Sequence, residues 1–140
     1  MRILIAADGS DYTRHMLDYV ATHGDLFTPA HEYTVLTVVL AVPPLAAGSI
    51  SKQDLADYYD DSARSVLDQA RGFFEARGIK AECLHKVGHP ADVIAETADG
   101  GKYDLIVMGS HGHSALGNLV MGSVATQVLA RCKTPVLLVR

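Results

Sequence analysis

Four glycines, three hydroxyl groups and two imidazoles crowd a single stretch, Met108-Gly-Ser-His-Gly-His-Ser-Ala-Leu-Gly-Asn-Leu-Val-Met-Gly-Ser123. Glycine lets a backbone turn sharply and come close to a ligand with no Cβ in the way. If a helix begins at the end of the stretch, its unpaired N–H groups and partial positive charge add an anion-binding end. Gly109, Gly112 and Gly122-Ser123, with Ser110, His111, His113 and Ser114 between them, are therefore candidates to hold phosphate through main-chain nitrogens. A plain connector could have the same composition, and composition alone leaves both readings open. Asp8, in Ala6-Ala7-Asp8-Gly9-Ser10-Asp11, is the second candidate, either as a ligand acceptor or as the cap of the following helix. His111-x-His113 has the look of a metal pair, but spacing identifies no third ligand. His15, His23, His31 and His85 are scattered and read as ordinary residues.

The same inventory excludes several chemistries. No Gly-x4-Gly-Lys-[Ser/Thr] occurs, so a P-loop is absent from the sequence. No Ser-His-Asp or Cys-His arrangement emerges from order or spacing. A hydrolase needs a positioned base for its water, and only Asp8 and the loop histidines offer one.

The elements that must position these residues follow from hydrophobic periodicity. Arg2–Ala7 is continuously apolar, as suits a strand covered on both faces. Tyr12, Met16, Tyr19 and Val20 give a first helix one apolar stripe, closed by Gly24. Tyr33–Val42 is rich in β-branched residues and predicts the second strand, stopped by Pro43-Pro44. A small, flexible loop is expected through Ile50. Ser51-x-x-Asp54 opens a long helix that runs to about Arg77, with Gly78 as its left-handed stop. Tyr58, Tyr59, Phe73 and Phe74 lie on it as core and surface residues.

Ala81–Val87 is the third strand, and Pro90 starts a third helix that ends at Gly100-Gly101. Tyr103–Met108 forms the fourth strand and leads into the glycine-rich stretch. Met121, Val124, Val128 and Leu129 repeat at helical spacing, giving a fourth helix to about Arg131. Val136–Arg140 closes the pattern as a fifth strand. Strict alternation of strand and helix predicts an α/β fold, a doubly wound five-stranded parallel sheet with four helices, in one domain over residues 1–140. Ligands in such sheets bind beyond the carboxyl ends of the strands.

Bulk properties agree. A chain of 140 residues, 49% hydrophobic and 20% charged, buries enough surface to need no staple. The formal net charge of −4 argues against a nucleic-acid-coating role. No apolar run approaches the roughly 20 residues of a membrane helix. The N-terminus lacks the pattern of a secretion signal, and Cys83 and Cys132 read as buried thiols. A cytoplasmic protein is the expectation.

Three separated places resemble one family. Ala6-Ala7-Asp8-Gly9-Ser10, Val87-Gly88-His89-Pro90 and Gly109-x2-Gly112-x9-Gly122-Ser123, followed by Pro135-Val-Leu-Leu-Val, resemble the universal stress proteins in the right order along the whole chain. The last motif resembles the ATP-binding motif of that family. The resemblance implies a sheet of order 3-2-1-4-5, with ATP, ADP or AMP across the ends of strands one and four. It implies that Ala6, Val38 and Met108 line the adenine pocket, and that Asp8 approaches the adenosine or a metal-bound water. The backbone N–H groups of Gly109, Gly112, His113, Gly122 and Ser123, with the Ser123 hydroxyl, would cradle the phosphates, and Ser110, His111, Ser114 and Val124 would complete the nucleotide site. It also implies a homodimer through strand five, Val136, Leu137, Leu138 and Val139.

No lysine or arginine lies between Gly109 and Ala130, so Mg2+ held by phosphates and waters is the expected complement, with protonated His113 as an addition. Three functions remain open. One is a nucleotide-dependent switch or interaction module in stress response, acting on a protein partner that the sequence does not identify. The others are a weak ATPase or partner-dependent phosphotransferase, and a module of the same fold that binds no nucleotide.

Overall fold

A computed structural model describes residues 1–113 and 120–140. In chain order they form β1 (Arg2–Ala6), α1 (Asp11–Thr22), β2 (Glu32–Val39), α2 (Pro44–Ala47) and α3 (Lys52–Glu75). The series continues with β3 (Ala81–Val87), α4 (Pro90–Gly100), β4 (Leu105–Gly109), α5 (Ser123–Arg131) and β5 (Val136–Val139). All five strands are parallel, in the order β3-β2-β1-β4-β5. The expected doubly wound sheet is present, and its order is the one the family resemblance implied.

Strand alternation sorts the core into two layers. Ile3 and Ile5 of β1 and Val35 of β2 meet Met16, Leu17 and Val20 of α1 and Ala63, Leu67 and Phe74 of α3. On the other face Leu4, Leu36 and Ile106 meet Ile94 and Ala98 of α4 and Ala125 and Val128 of α5. Ile3, Leu4 and Ile5 are fully buried, as the unbroken apolar run of β1 requires. Leu129, counted above on the apolar stripe of the last helix, is 44% exposed, because Ala125 and Val128 occupy the centre of the inward face.

Two local departures matter near the site. The segment after β2, expected as a loop, contains the short helix α2, so the described residues form five helices where four were expected. Pro44 occupies its first turn with a preset φ, and the Pro43 carbonyl accepts from the N–H groups of Ala46 and Ala47. β2 also stops at Val39, short of the expected Val42. Its partner β3 ends opposite, at Val87, where Gly88 closes the ladder by donating to the Val39 carbonyl. The chain then leaves the sheet, and the Val42 N–H donates to the Tyr59 hydroxyl of α3 at 2.9 Å.

Other terminal signals work as expected. Ser51 Oγ accepts from the Asp54 N–H, and Gly78 takes φ +68° after α3. Cys83 and Cys132 are free thiols, and burial pushes both up from the usual thiol pKa. Among the described residues no helix is long and apolar enough to cross a membrane.

Candidate functional site

A cleft of about 730 Å³ opens beyond the carboxyl ends of β1, β2 and β4. That is the volume range of small-molecule sites, at the edge of the sheet where doubly wound folds bind ligands. One wall is apolar: Ala6, Leu36, Val38, Ile94, Met108, Val124 and Ala125 contribute side chains from the α4/α5 layer. The opposite wall comes from α1 and α3 through Thr13, Tyr58, Ser62 and Val66. The polar end is built from Asp8, Gly109, His111, Gly112, His113, Gly122 and Ser123.

Backbone geometry explains the glycines more sharply than conformational freedom does. Neither Gly112 nor Gly122 has a positive φ. A Cβ on Gly112 would stand 2.7 Å from Asp8 Oδ2, and one on Gly122 would stand 3.0 Å from the His111 Cα. Both distances are below normal van der Waals contact. The loop therefore closes on the end of β1 and on the start of α5 only because these positions lack side chains.

Donor assignments differ from residue to residue. The Gly122 N–H donates to the Ser110 carbonyl at 2.7 Å, so this nitrogen is occupied within the loop. Helix geometry leaves the N–H groups of Ser123, Val124 and Ala125 without intrahelical acceptors, because the first ladder bond into the helix is made by Thr126 to the Gly122 carbonyl. These first-turn donors of α5 are the electropositive end of the cleft. Ser110 is 3% exposed and does not line the cleft. Its N–H donates to Val139 and its hydroxyl meets His111 Nδ1 at 2.9 Å, so it ties the loop to β5 and orients an imidazole.

The two histidines have separate partners. The His111 ring also packs against Tyr12, 4.7 Å between ring centroids. His113 Nε2 donates to the Asp8 carbonyl at 2.6 Å. Among the described residues no group of three or more His, Cys, Asp or Glu converges as a metal cage. Asp8 itself is not the N-cap of α1. Ser10 is, and its side chain makes no capping bond. Asp8 Oδ1 accepts from the Ser10 N–H and the Thr13 hydroxyl, each at 2.9 Å, while Oδ2 faces Gly112. One oxygen is structural and the other is turned toward the cleft.

Ala6, Asp8, Val38, Met108, Gly109, His111, Gly112, His113, Gly122, Ser123 and Val124 are thus brought to one cleft. Ser114 lies outside the described residues, as does Gly117. Sequence reasoning missed the α3 wall and Thr13. The stripe of α1 carried a signal for Thr13, since the buried set is Thr13, Met16, Leu17 and Val20, with one hydroxyl among apolar residues.

Comparison with known proteins gives a consistent result. A profile of the universal stress protein family matches residues 1–140. A universal stress protein of Thermus aquaticus is 31% identical over 147 residues, an alignment covering 99% of this chain and 97% of that protein. Universal stress protein Slr1230 of Synechocystis is 31% identical over 139 residues, with 99% of this chain covered. The chain spans 42% of that relative's length. A universal stress protein crystallised in complex with cAMP is 26% identical, with a TM-score of 0.72 and coverage of 100% of this chain and 97% of that one.

Proposed function

Since this chain belongs to the universal stress protein family, we propose that its cleft binds an adenine nucleotide, ATP, ADP or AMP, and that occupancy switches how the protein meets a partner in stress response. The observation that carries this reading is the polarity of the cleft. An apolar wall around Leu36, Val38 and Met108 suits a purine ring, and the donor-rich start of α5 suits phosphate oxygens. The relative crystallised with cAMP, an adenine nucleotide, supports the choice of base. Main-chain N–H groups of Gly112, Ser123 and Val124, with the Ser123 hydroxyl, are the proposed phosphate donors.

No lysine or arginine lines the cleft among the described residues. A triphosphate there keeps most of its charge, so the reading includes Mg2+ held by the phosphates and waters. Asp8 is the acidic residue among the described lining of the cleft, with Oδ2 beside Gly112, and it suits a water-mediated contact rather than a full protein cage. The reading extends to a homodimer through β5 and to a cytoplasmic setting. No nucleic acid or membrane contact enters it.

Titration calorimetry with ATP in magnesium tests the proposal. Saturable heat with a Kd well below about 1 mM is expected. EDTA is expected to weaken ATP more than AMP, because the longer phosphate tail loses more by losing its cation. A folded protein giving no heat with any adenine nucleotide at millimolar concentration rejects the reading.

A further inference from the structure

Asp8 stands at the end of β1 with all but one of its polar atoms engaged. Its N–H donates to Thr13 Oγ1 at 3.0 Å, and its carbonyl accepts from His113 Nε2 at 2.6 Å. Oδ1 accepts from the Ser10 N–H and from the Thr13 hydroxyl, both at 2.9 Å. Oδ2 has no hydrogen-bond partner among the described residues and faces Gly112.

Thr13 is the hub of this arrangement. A threonine hydroxyl has one proton and two lone pairs. Here the proton goes to Asp8 Oδ1, and the lone pairs take the N–H groups of Asp8 and Gly9 at 3.0 and 3.2 Å. Thr13 is 3% exposed, so solvent has little access to these bonds. Rotation of the carboxylate would break bonds on Oδ1 and strand a buried hydroxyl.

We propose that Thr13 is a positioning residue, which locks the Asp8 carboxylate so that Oδ2 alone receives one O–H donor of the bound nucleotide complex. The donor is a ribose hydroxyl or a magnesium-bound water, which offer the same chemistry. The inference rests on the nucleotide reading of the cleft. It adds that selectivity for the donor is set from α1, by a residue that does not need to touch the ligand.

The test compares wild type, Thr13→Ser and Thr13→Val by calorimetry, with folding followed by circular dichroism. Thr13→Ala stands in if the valine variant does not fold. Two affinity ratios are read for each protein. AMP against its 2′-deoxy and 3′-deoxy analogues, in EDTA, reads a ribose hydroxyl without metal. ATP in magnesium against ATP in EDTA reads the metal-bound water.

Wild type is expected to show a preference of about tenfold in at least one ratio, the worth of a hydrogen bond to a charged acceptor. Thr13→Ser, which keeps the hydroxyl, is expected to retain it. Thr13→Val is expected to reduce that same ratio about tenfold. A purely structural Thr13 would lower thermal stability and overall affinity while leaving both ratios where they were, and that result overturns the proposal. So does a wild type that binds nucleotide with neither preference. A wild type that binds no nucleotide fails at the cleft itself, a distinct outcome.

Discussion

At Gly112 there is no room beside Asp8 for even a methyl group. Its Cβ would stand 2.7 Å from Asp8 Oδ2, and that carboxylate cannot simply swing away, because Oδ1 is held by Ser10 and Thr13. Gly112→Ala should therefore displace the loop or the carboxylate, at a cost of about 1–3 kcal/mol typical of overpacking. The expected readings are a lower urea midpoint and nucleotide affinity reduced at least about tenfold, since the displaced oxygen and loop share the site. Stability and affinity equal to wild type would mean that the loop has room to spare. The glycine motif was legible in the sequence as a set of positions, but its reason was not. A string of residues shows that a Cβ is missing. It does not show that the space is taken by an aspartate 104 positions earlier, because that contact exists only after β1 and β4 pair as Ala6 with Met108. Thr13 was hidden for a different cause: its bonds to Asp8 and Gly9 are local in sequence, but a hydroxyl on an otherwise apolar helix stripe does not tell which neighbouring groups it holds.

Elements in this chain are held at their ends as much as along their lengths, and Asp99 is the clearest case. It sits near the end of α4 and accepts from the Thr134 hydroxyl at 2.8 Å and from the N–H groups of Lys133 and Thr134 at 3.1–3.2 Å. The Thr134 hydroxyl first, then the Lys133 N–H, hold its carboxyl below the usual aspartate pKa. A depressed pKa in the folded state stabilises the fold above the unfolded pKa, and the contribution is lost as pH falls through the folded value. Asp99→Asn should thus be less stable than wild type near neutrality, and the gap should begin to narrow near about pH 4, where unfolded aspartate protonates, and vanish as pH falls below the depressed folded value. Urea denaturation across pH 2.5–7 checks this, and a gap independent of pH would assign no ionic part to the contact. Element types were largely readable from periodicity, since β1, β4 and β5 are mainly apolar runs, β2 is rich in β-branched residues and each long helix carries a stripe. Boundaries were less so. β2 ends at Val39 because β3 runs out opposite it, and α2 forms because Pro44 suits a first helical turn, both matters of partners rather than of local preference.

Among the described residues β3 and β5 are the edge strands of the sheet, and they are not alike. β3 carries Glu82, His85 and Lys86 along its length, charges and a polar ring of the kind that discourage edge pairing. β5 is Val136-Leu-Leu-Val139 with no charge at all, which makes it the edge suited to a second copy in a symmetric dimer. The backbone bonds decide which residue tests this. The Pro135 carbonyl accepts from Ile106 and the Val139 carbonyl from Ser110, so alternate residues 135, 137 and 139 face β4. Leu138, between them, points its N–H and carbonyl outward by the same alternation. A proline at 137 would break the sheet itself, whereas Leu138→Pro removes an outward donor and leaves the β4 ladder its bonds. Light scattering at micromolar concentration should give twice the chain mass for wild type and a single mass for Leu138→Pro. Circular dichroism of the variant should remain that of the folded α/β protein. A folded variant that keeps the double mass would move the interface off β5, and a wild type of single mass would remove the dimer from the reading. Because Ser110 ties the glycine-rich loop directly to Val139, the same variant should leave nucleotide affinity within about threefold of wild type only if pairing at β5 and loop geometry are independent. A larger loss in the folded monomer would mean that the edge and the cleft are coupled through that one bond.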